Sequence, residues 1–399
     1  MPKFTSSLCL TIALTACTLA THAAVPQPVL IGEAILPGAF PPHFPCRANG
    51  DGTVGFRVTN RISPEWQLTS VDLTSGLTLN ILDTLDLEPY IFDSQAMRIV
   101  GDRLYLVPDL AIVDISDPSN LSVLGSAPGL ARPGFGVGAT SMAVQGTTVF
   151  VLLGSRNVGV YDCSDPTNIV QTATIQISGA GAALSIDSIG DDKLIIGRSF
   201  SGVTIHDSSN PSVLPVIGSV SGFQPSTIDV NDALDVAYAV REDATLIALT
   251  SIDISDPTSP SVLDQVEMND LALFENAGPV VAIGDDIVVA YAEYGRVEMF
   301  DVSDPADMVR MDPIDADAES FAPIGTDRVL MSTNLGIAEY AFVSCPADLN
   351  GDGELDFFDI SAFLSAYNAQ DPAADFTADG VFDFFDISAF LSAYNAGCP

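Results

Sequence analysis

The chain has 399 residues, 47% of them hydrophobic, and carries 52 acidic against 14 basic residues, a net charge of −38. So negative a field disfavours nucleic acid and anionic lipid surfaces and favours cations and solubility. Lys3 and Lys193 are the only lysines, so no basic tract is present to reverse that balance.

At the N-terminus, Lys3 precedes an apolar core from Leu8 to Leu19, followed by Thr21-His22-Ala23-Ala24. This is the order of a secretory signal, so residues 1–23 are assigned to a signal peptide cut after Ala23. Leu14-Thr15-Ala16-Cys17 also reads as a lipoprotein box, in which Cys17 would carry a lipid anchor. The apolar core is shorter than the roughly 20 residues a spanning helix needs, and no later stretch supplies a transmembrane segment. The mature protein is expected outside the cytoplasm, secreted or at the cell surface. Four cysteines remain there: Cys46, Cys163, Cys345 and Cys398. Cys345 and Cys398 bracket the tail, and a disulfide closing that loop would contribute roughly 3–4 kcal/mol. Cys163 takes a repeat slot filled elsewhere by Ile115, Ile254 and Val302, the place of a small buried hydrophobe. Whether it reaches Cys46 is left open.

Between Cys46 and Ser344 the chain is periodic. The element D-x-S-[D/N]-P begins at Asp114, Asp162, Asp207, Asp253 and Asp301, with spacings of 48, 45, 46 and 48 residues. A weaker copy stands at Val71-Asp72-Leu73-Thr74 and a degenerate one at Glu339–Ser344, which makes seven units. An apolar β-branched run enters each motif and reads as a strand. Ser with Asp or Asn before Pro then stops it, because those side chains bond nearby amides and Pro donates nothing. Upstream lies a hairpin with a Gly or Asp turn, as at Gly101-Asp102 and Gly284-Asp285. Four strands per unit at about 45 residues match the blade of a β-propeller. The repeated aspartates are expected to close turns or bond a neighbouring blade rather than ring a channel. Asn49-Gly50-Asp51-Gly52 is expected to be a hairpin turn rather than a calcium loop.

The run Ile112–Ser126, "IVDISDPSNLSVLGS", resembles the LVIVD repeat of bacterial secreted and surface proteins. The resemblance implies a β-propeller over residues 24–344 and no particular chemistry. No HExxH, Gly-x-Ser-x-Gly elbow, phosphate loop or dinucleotide fingerprint occurs, and His43 and His206 lie far apart. The carboxylates single out no catalytic pair, so no catalytic residue is assigned.

In the tail, residues 345–399, the string DFFDISAFLSAYNA runs from Asp356 to Ala369 and again from Asp383 to Ala396. Each copy follows spaced oxygen ligands in the pattern of an EF-hand-type calcium loop, with ligands at positions 1, 3, 5, 7, 9 and 12. The first loop offers Asp348, Asn350, Asp352, the carbonyl of Glu354, Asp356 and Asp359; the second offers Asp375, Thr377, Asp379, the carbonyl of Val381, Asp383 and Asp386. Two Ca²⁺ sites are expected, the second weaker because Thr377 offers only a hydroxyl. Ten acidic residues and no basic one lie between Cys345 and Pro399, so a divalent cation is expected to hold the segment together. Phe357, Ile360, Phe363, Leu364 and Tyr367, with Phe384, Ile387, Phe390, Leu391 and Tyr394, recur at helical spacing and are expected to form a shared core. Phe358 and Phe385 fall off that stripe and are the expected partner contacts.

Two loop–helix units with Asp at position 12 resemble the type I dockerin module. That resemblance implies one Ca²⁺ per loop and docking onto a cohesin module, with Phe-Phe at positions 10 and 11 where the family usually carries small polar residues. The chain is thus expected to be an all-β protein, a β-propeller of about seven four-stranded blades, followed by a small all-α dockerin-like domain. The expected role is non-catalytic: calcium-dependent interaction, display or attachment. The alternative is a carbohydrate-active enzyme of polysaccharide degradation with catalytic carboxylates on the propeller face.

Overall fold

The computed structural model describes residues 26–36, 45–60, 66–88, 94–127, 142–154, 156–178, 181–243, 246–268, 279–292, 296–316, 318–343, 345–349, 355–370, 372–377 and 381–397. They fall into two compact units, one of them Pro28–Val343 and the other containing Ser344–Pro399.

Pro28–Val343 consists of seven antiparallel sheets, one per sequence repeat. Blade 1 is Cys46–Ala48, Val54–Asn60, Trp66–Asp72 and Asn80–Asp86; blade 2 is Ser94–Val100, Arg103–Pro108, Ala111–Asp114 and Ser122–Ser126. Blade 3 is Met142–Gln145, Thr148–Leu153, Asn157–Asp162 and Val170–Gln176; blade 4 is Ala183–Ile189, Lys193–Arg198, Gly202–Asp207 and Val216–Val220. Blade 5 is Pro225–Asn231, Val236–Asp243, Leu246–Asp253 and Ser261–Glu267. Blade 6 is Val280–Ile283, Ile287–Ala292 and Arg296–Asp301, its outer position shared by Val309–Arg310 and Ile314–Asp315. In blade 7, Ala318–Ile324, Arg328–Thr333 and Gly336–Val343 are completed by the N-terminal strand Gln27–Ile35. Middle strands such as Thr148–Leu153 are apolar and buried on both faces, whereas outer strands such as Val170–Gln176 alternate between exposed and half-buried residues.

The repeated motif does two jobs in this architecture. First, it ends the third strand: Oδ1 of Asp114, Asp162, Asp207, Asp253 and Asp301 accepts the N–H two residues on at 2.9–3.0 Å. These aspartates close turns, as expected. Second, its proline carbonyl meets the preceding blade. Ser70 Oγ donates to Pro118 O at 2.6 Å, and Ser251 Oγ donates to Pro305 O at 2.6 Å. A Cβ at Gly125 would stand 1.8 Å from Pro166 O, and one at Gly218 would stand 2.0 Å from Pro257 O. Only glycine lets the neighbouring blade come that close.

Apolar packing closes the ring. Seven buried clusters sit between successive blades, from Phe56 with Met97 at the first seam to Phe321 with Val289 at the sixth. The seventh seam joins blade 7 to blade 1 through Ala34, Leu36, Cys46, Val71, Leu79 and Ile337. Backbone bonds reinforce it: Glu33 N–H donates to Leu77 O at 3.1 Å and Leu79 N–H to Glu33 O at 2.9 Å. Asn49-Gly50-Asp51-Gly52 forms the first hairpin turn of blade 1, with Asn49 Oδ1 accepting the N–H groups of Thr53 and Val54. Cys46 and Cys163 are both free and buried, so no bridge joins them. Burial pushes the Cys163 thiol up to about 12, which leaves it inert at neutral pH.

In the C-terminal unit, helix α1 spans Phe357–Ala369 and helix α2 spans Phe384–Ala396, with one 3-10 turn at Pro372–Ala374. Phe363 and Phe390 are the same residue in the two copies, and their rings stack on each other at 4.1 Å and 3°. A local two-fold relation therefore passes through the middle of the core. Phe376 meets both rings edge-on at 5.7 and 5.4 Å. The expected core stripe is corrected in part: Phe357, Leu364, Phe384 and Leu391 are exposed. Each helix begins at its first phenylalanine, and the stacked Phe363–Phe390 pair turns that flank outward.

Candidate functional site

Each candidate calcium loop is closed by the carboxylate at its twelfth position. Asp359 Oδ1 accepts Leu349 N–H at 3.0 Å and its Oδ2 accepts Asp356 N–H at 2.8 Å. Asp386 accepts Thr377 N–H, one position later in its loop, at 3.1 Å and Asp383 N–H at 2.8 Å. The ninth-position residues Asp356 and Asp383 in turn cap the helices, accepting the N–H of Phe358 at 2.6 Å and of Phe385 at 2.7 Å. D-x-x-D is thus a capping box as well as the end of each candidate loop. One pair of carboxylates starts the helix and closes the loop, which couples helix formation to whatever the loop holds.

The oxygen donors expected in each loop are of the type a hard divalent cation takes, although no three His, Cys, Asp or Glu side chains gather as a metal site among the described residues. Asp359 and Asp386 are fully buried and Asp348 nearly so. The Asp383 N–H, then Thr377, hold the Asp386 carboxyl below the usual carboxylate range against the opposing effect of burial. It is therefore ionised at neutral pH, inside a segment whose sequence contains no Lys, Arg or His. A buried carboxylate without a cationic partner is strongly unfavourable. Asp375 and Val381 lie among the described residues; Asn350, Asp352, Glu354 and Asp379 lie outside them. Thr377 donates its hydroxyl to Asp386 Oδ1 at 2.9 Å, which makes it a poorer metal donor than the Asn350 expected at the same position. Cys345 is disulfide-bonded; Cys398, its expected partner, lies outside the described residues.

Phe358 and Phe385, the expected partner contacts, are 65% and 66% exposed, and Phe357 and Phe384 beside them are 72% and 71% exposed. With Leu364 and Leu391 they form the same apolar strip twice. Exposed phenylalanines in duplicate are uncommon on a chain this acidic.

A second polar site lies on the propeller axis. The first strand of every blade faces the axis, and register aligns one residue in each, opposite the third residue of the second strand. These seven are Arg47, Arg98, Ala143, Asp187, Asp229, Val281 and Ala322. Arg98 of blade 2 and Asp187 of blade 4 form an ion pair at 3.5 Å. Blade 3 stands between them, so the pair crosses the channel. Sequence reasoning missed this set, although a signal existed: each residue lies three before its hairpin turn residue, as Arg98 does before Gly101.

Burial, and next the Asp187 charge, push Asp229 up to about 7, against Ala282 N–H, Arg98 and Arg47. An unfolded aspartate titrates near about 3.9. Between those values the folded chain holds a proton that the unfolded chain has lost, so this group lowers stability as pH rises through the window. Asp229→Asn is expected to flatten the dependence of the thermal midpoint on pH between about 4 and 7. The turn aspartates Asp114, Asp162, Asp207 and Asp253 are held below the usual range by the hydroxyl and N–H two residues on. Their stabilisation is complete at neutral pH and disappears only as pH falls below about 4, so the two effects separate in one titration.

The LVIVD repeat matches residues 93–127 and 239–267, which are blade 2 and most of blade 5. No curated protein matches the chain. Among solved structures, a crystal structure of RRP9 WD40 repeats is similar with a TM-score of 0.53 at 12% identity, covering 79% of this chain and 94% of that one. At that identity the likeness speaks for the fold alone. No helix among the described residues is long and apolar enough to cross a membrane. By its seven sheets, its closed ring and these matches, the chain is a seven-bladed β-propeller carrying LVIVD repeats.

Proposed function

We propose that this protein is an exported, non-catalytic propeller whose duplicated C-terminal module folds around two calcium ions and serves as an attachment device. The observation that carries the reading is the burial of Asp359 and Asp386 in two identical loop ends, within a segment that has no basic residue of its own. The repeated strips Phe357-Phe358-Leu364 and Phe384-Phe385-Leu391 supply the face that meets a partner, a cohesin-like or other surface protein with an apolar groove. Acidic surroundings fit a partner groove rimmed with basic residues. The propeller is the cargo that this contact displays at the cell surface.

Calorimetric titration of the full-length chain with Ca²⁺ tests the core of this reading. Two binding events are expected, the tighter assigned to the first loop. Asp348→Ala should remove that event and leave the weaker one, since Asp348 is a buried first-position donor. A single event, or one indifferent to Asp348→Ala, would count against the two-loop reading.

A further inference from the structure

The channel charges are arranged by sign. Arg47 and Arg98 stand on adjacent blades 1 and 2, and Asp187 and Asp229 stand on adjacent blades 4 and 5. One wall of the axis is cationic and the facing wall anionic. Arg98 and Asp187 keep 26% and 16% of their side-chain surfaces accessible, so the waist is lined rather than sealed by them. Ala143, Val281 and Ala322 hold the other three equivalent positions; they carry no charge and are buried in the seams between blades.

Hydrogen bonding leaves part of Arg47 and of Asp229 open. Arg47 Nη1 donates to the carbonyls of Cys46 at 2.7 Å and Phe321 at 3.1 Å; among the described residues its Nη2 and Nε have no partner. Asp229 Oδ2 accepts Ala282 N–H at 2.8 Å, and its Oδ1 has no partner among them either. A set built only to brace the ring would pair both arginines with both aspartates. Here one pair closes across the channel, while a donor face of Arg47 and an acceptor oxygen of Asp229 stay open on opposite sides. A simple anion entering the waist meets the carboxylates, and a simple cation meets the guanidinium groups. Only a molecule bearing both signs satisfies both walls.

We propose that the waist of the propeller channel binds a small amphoteric solute, one with a carboxylate and an ammonium group separated by a short apolar spacer. The carboxylate sits on the open face of Arg47, and the ammonium on Asp229 Oδ1. The chemical class is that of free amino acids.

A series of ω-amino acids measures the separation of the two walls. Glycine, β-alanine and γ-aminobutyrate are titrated into the full-length protein by calorimetry in calcium-containing buffer, with acetate and methylammonium as the two halves. At least one member is expected to bind one to one, at least about tenfold tighter than either half, the worth of one charge-assisted hydrogen bond. Asp229→Asn should weaken that amino acid by about tenfold or more without weakening acetate, and Arg47→Gln should weaken both. If no member of the series binds the unmodified protein, the proposal fails without reference to any variant. It fails equally if the bound member is indifferent to a folded Asp229→Asn protein.

Discussion

Stripping calcium from the full-length protein with excess chelator is expected to abolish the helical signal of the C-terminal module and leave the propeller's thermal transition in place. Among the described residues, the buried apolar core of that module is Cys345, Ala347, Phe363, Ala374 and Phe390, with ten partly buried apolar residues packed against it. A core of that size supplies too little burial to hold a domain of this length by itself. Against it stand ten acidic residues and no basic one, with Asp359 and Asp386 wholly buried. At 1 mM Ca²⁺ a loop with a dissociation constant of about 1 μM contributes about 4 kcal/mol, and two such loops about 8 kcal/mol. That is comparable to the entire stability of a small domain, about 5–15 kcal/mol. Because the capping carboxylates and the loop carboxylates are the same groups, releasing the ion leaves their mutual repulsion unscreened at the start of each helix. Circular dichroism near 222 nm, with residual metal measured by atomic emission, reads the outcome. Helical signal that survives in verified metal-free protein would refute calcium-dependent folding.

Much of the propeller was legible because its local chemistry repeats. D-x-S-[D/N]-P marks the end of the third strand in five of the seven blades, and the aspartate and proline do there what those residue types do in any turn. Ring closure was not legible. Gln27–Ile35 carries no motif and pairs with a strand some three hundred residues away, so local pattern holds no trace of the partnership. The channel set was legible in principle, since its members keep a constant distance from the turns. It stays hidden until the seven repeats are aligned by register, because a charge in a single strand reads as a solvated face. In the tail, the loop carboxylates and the phenylalanines Phe363 and Phe390 follow from spacing. The outward turn of Phe357 and Leu364 does not, because helical period alone is silent on which flank a two-fold partner covers.

Removing residues 24–36 is expected to lower the propeller's thermal midpoint by about 10–20 °C and to make the chain associate through its seventh blade. The deleted strand is the outermost of that blade, and without it Gly336–Val343 becomes an unpaired edge. Leu36 is nearly fully buried in the seam with blade 1, which is about 2 kcal/mol of apolar burial. Besides the ladder to Gly336–Val343, three backbone bonds go with it, those of Glu33 with Leu77, Leu79 with Glu33 and Leu36 with Leu335, at about 1 kcal/mol each. The sum of about 5 kcal/mol corresponds to about 2–4 °C per kcal/mol in a domain of this size. A Cβ on Gly336 would stand 1.9 Å from Ala34 O, so the third strand of blade 7 is shaped to this one neighbour and no other segment fills the place equally well. Two point variants separate loss of the seam from loss of chain length. Leu36→Ser should reproduce a large part of the shift, whereas Ile35→Ser, whose side chain is 73% exposed, should move the midpoint by less than about 2 °C. Scanning calorimetry with sedimentation at two protein concentrations distinguishes the outcomes. A truncated chain that stays monomeric and melts with the parent would mean the ring is held by its other six seams alone.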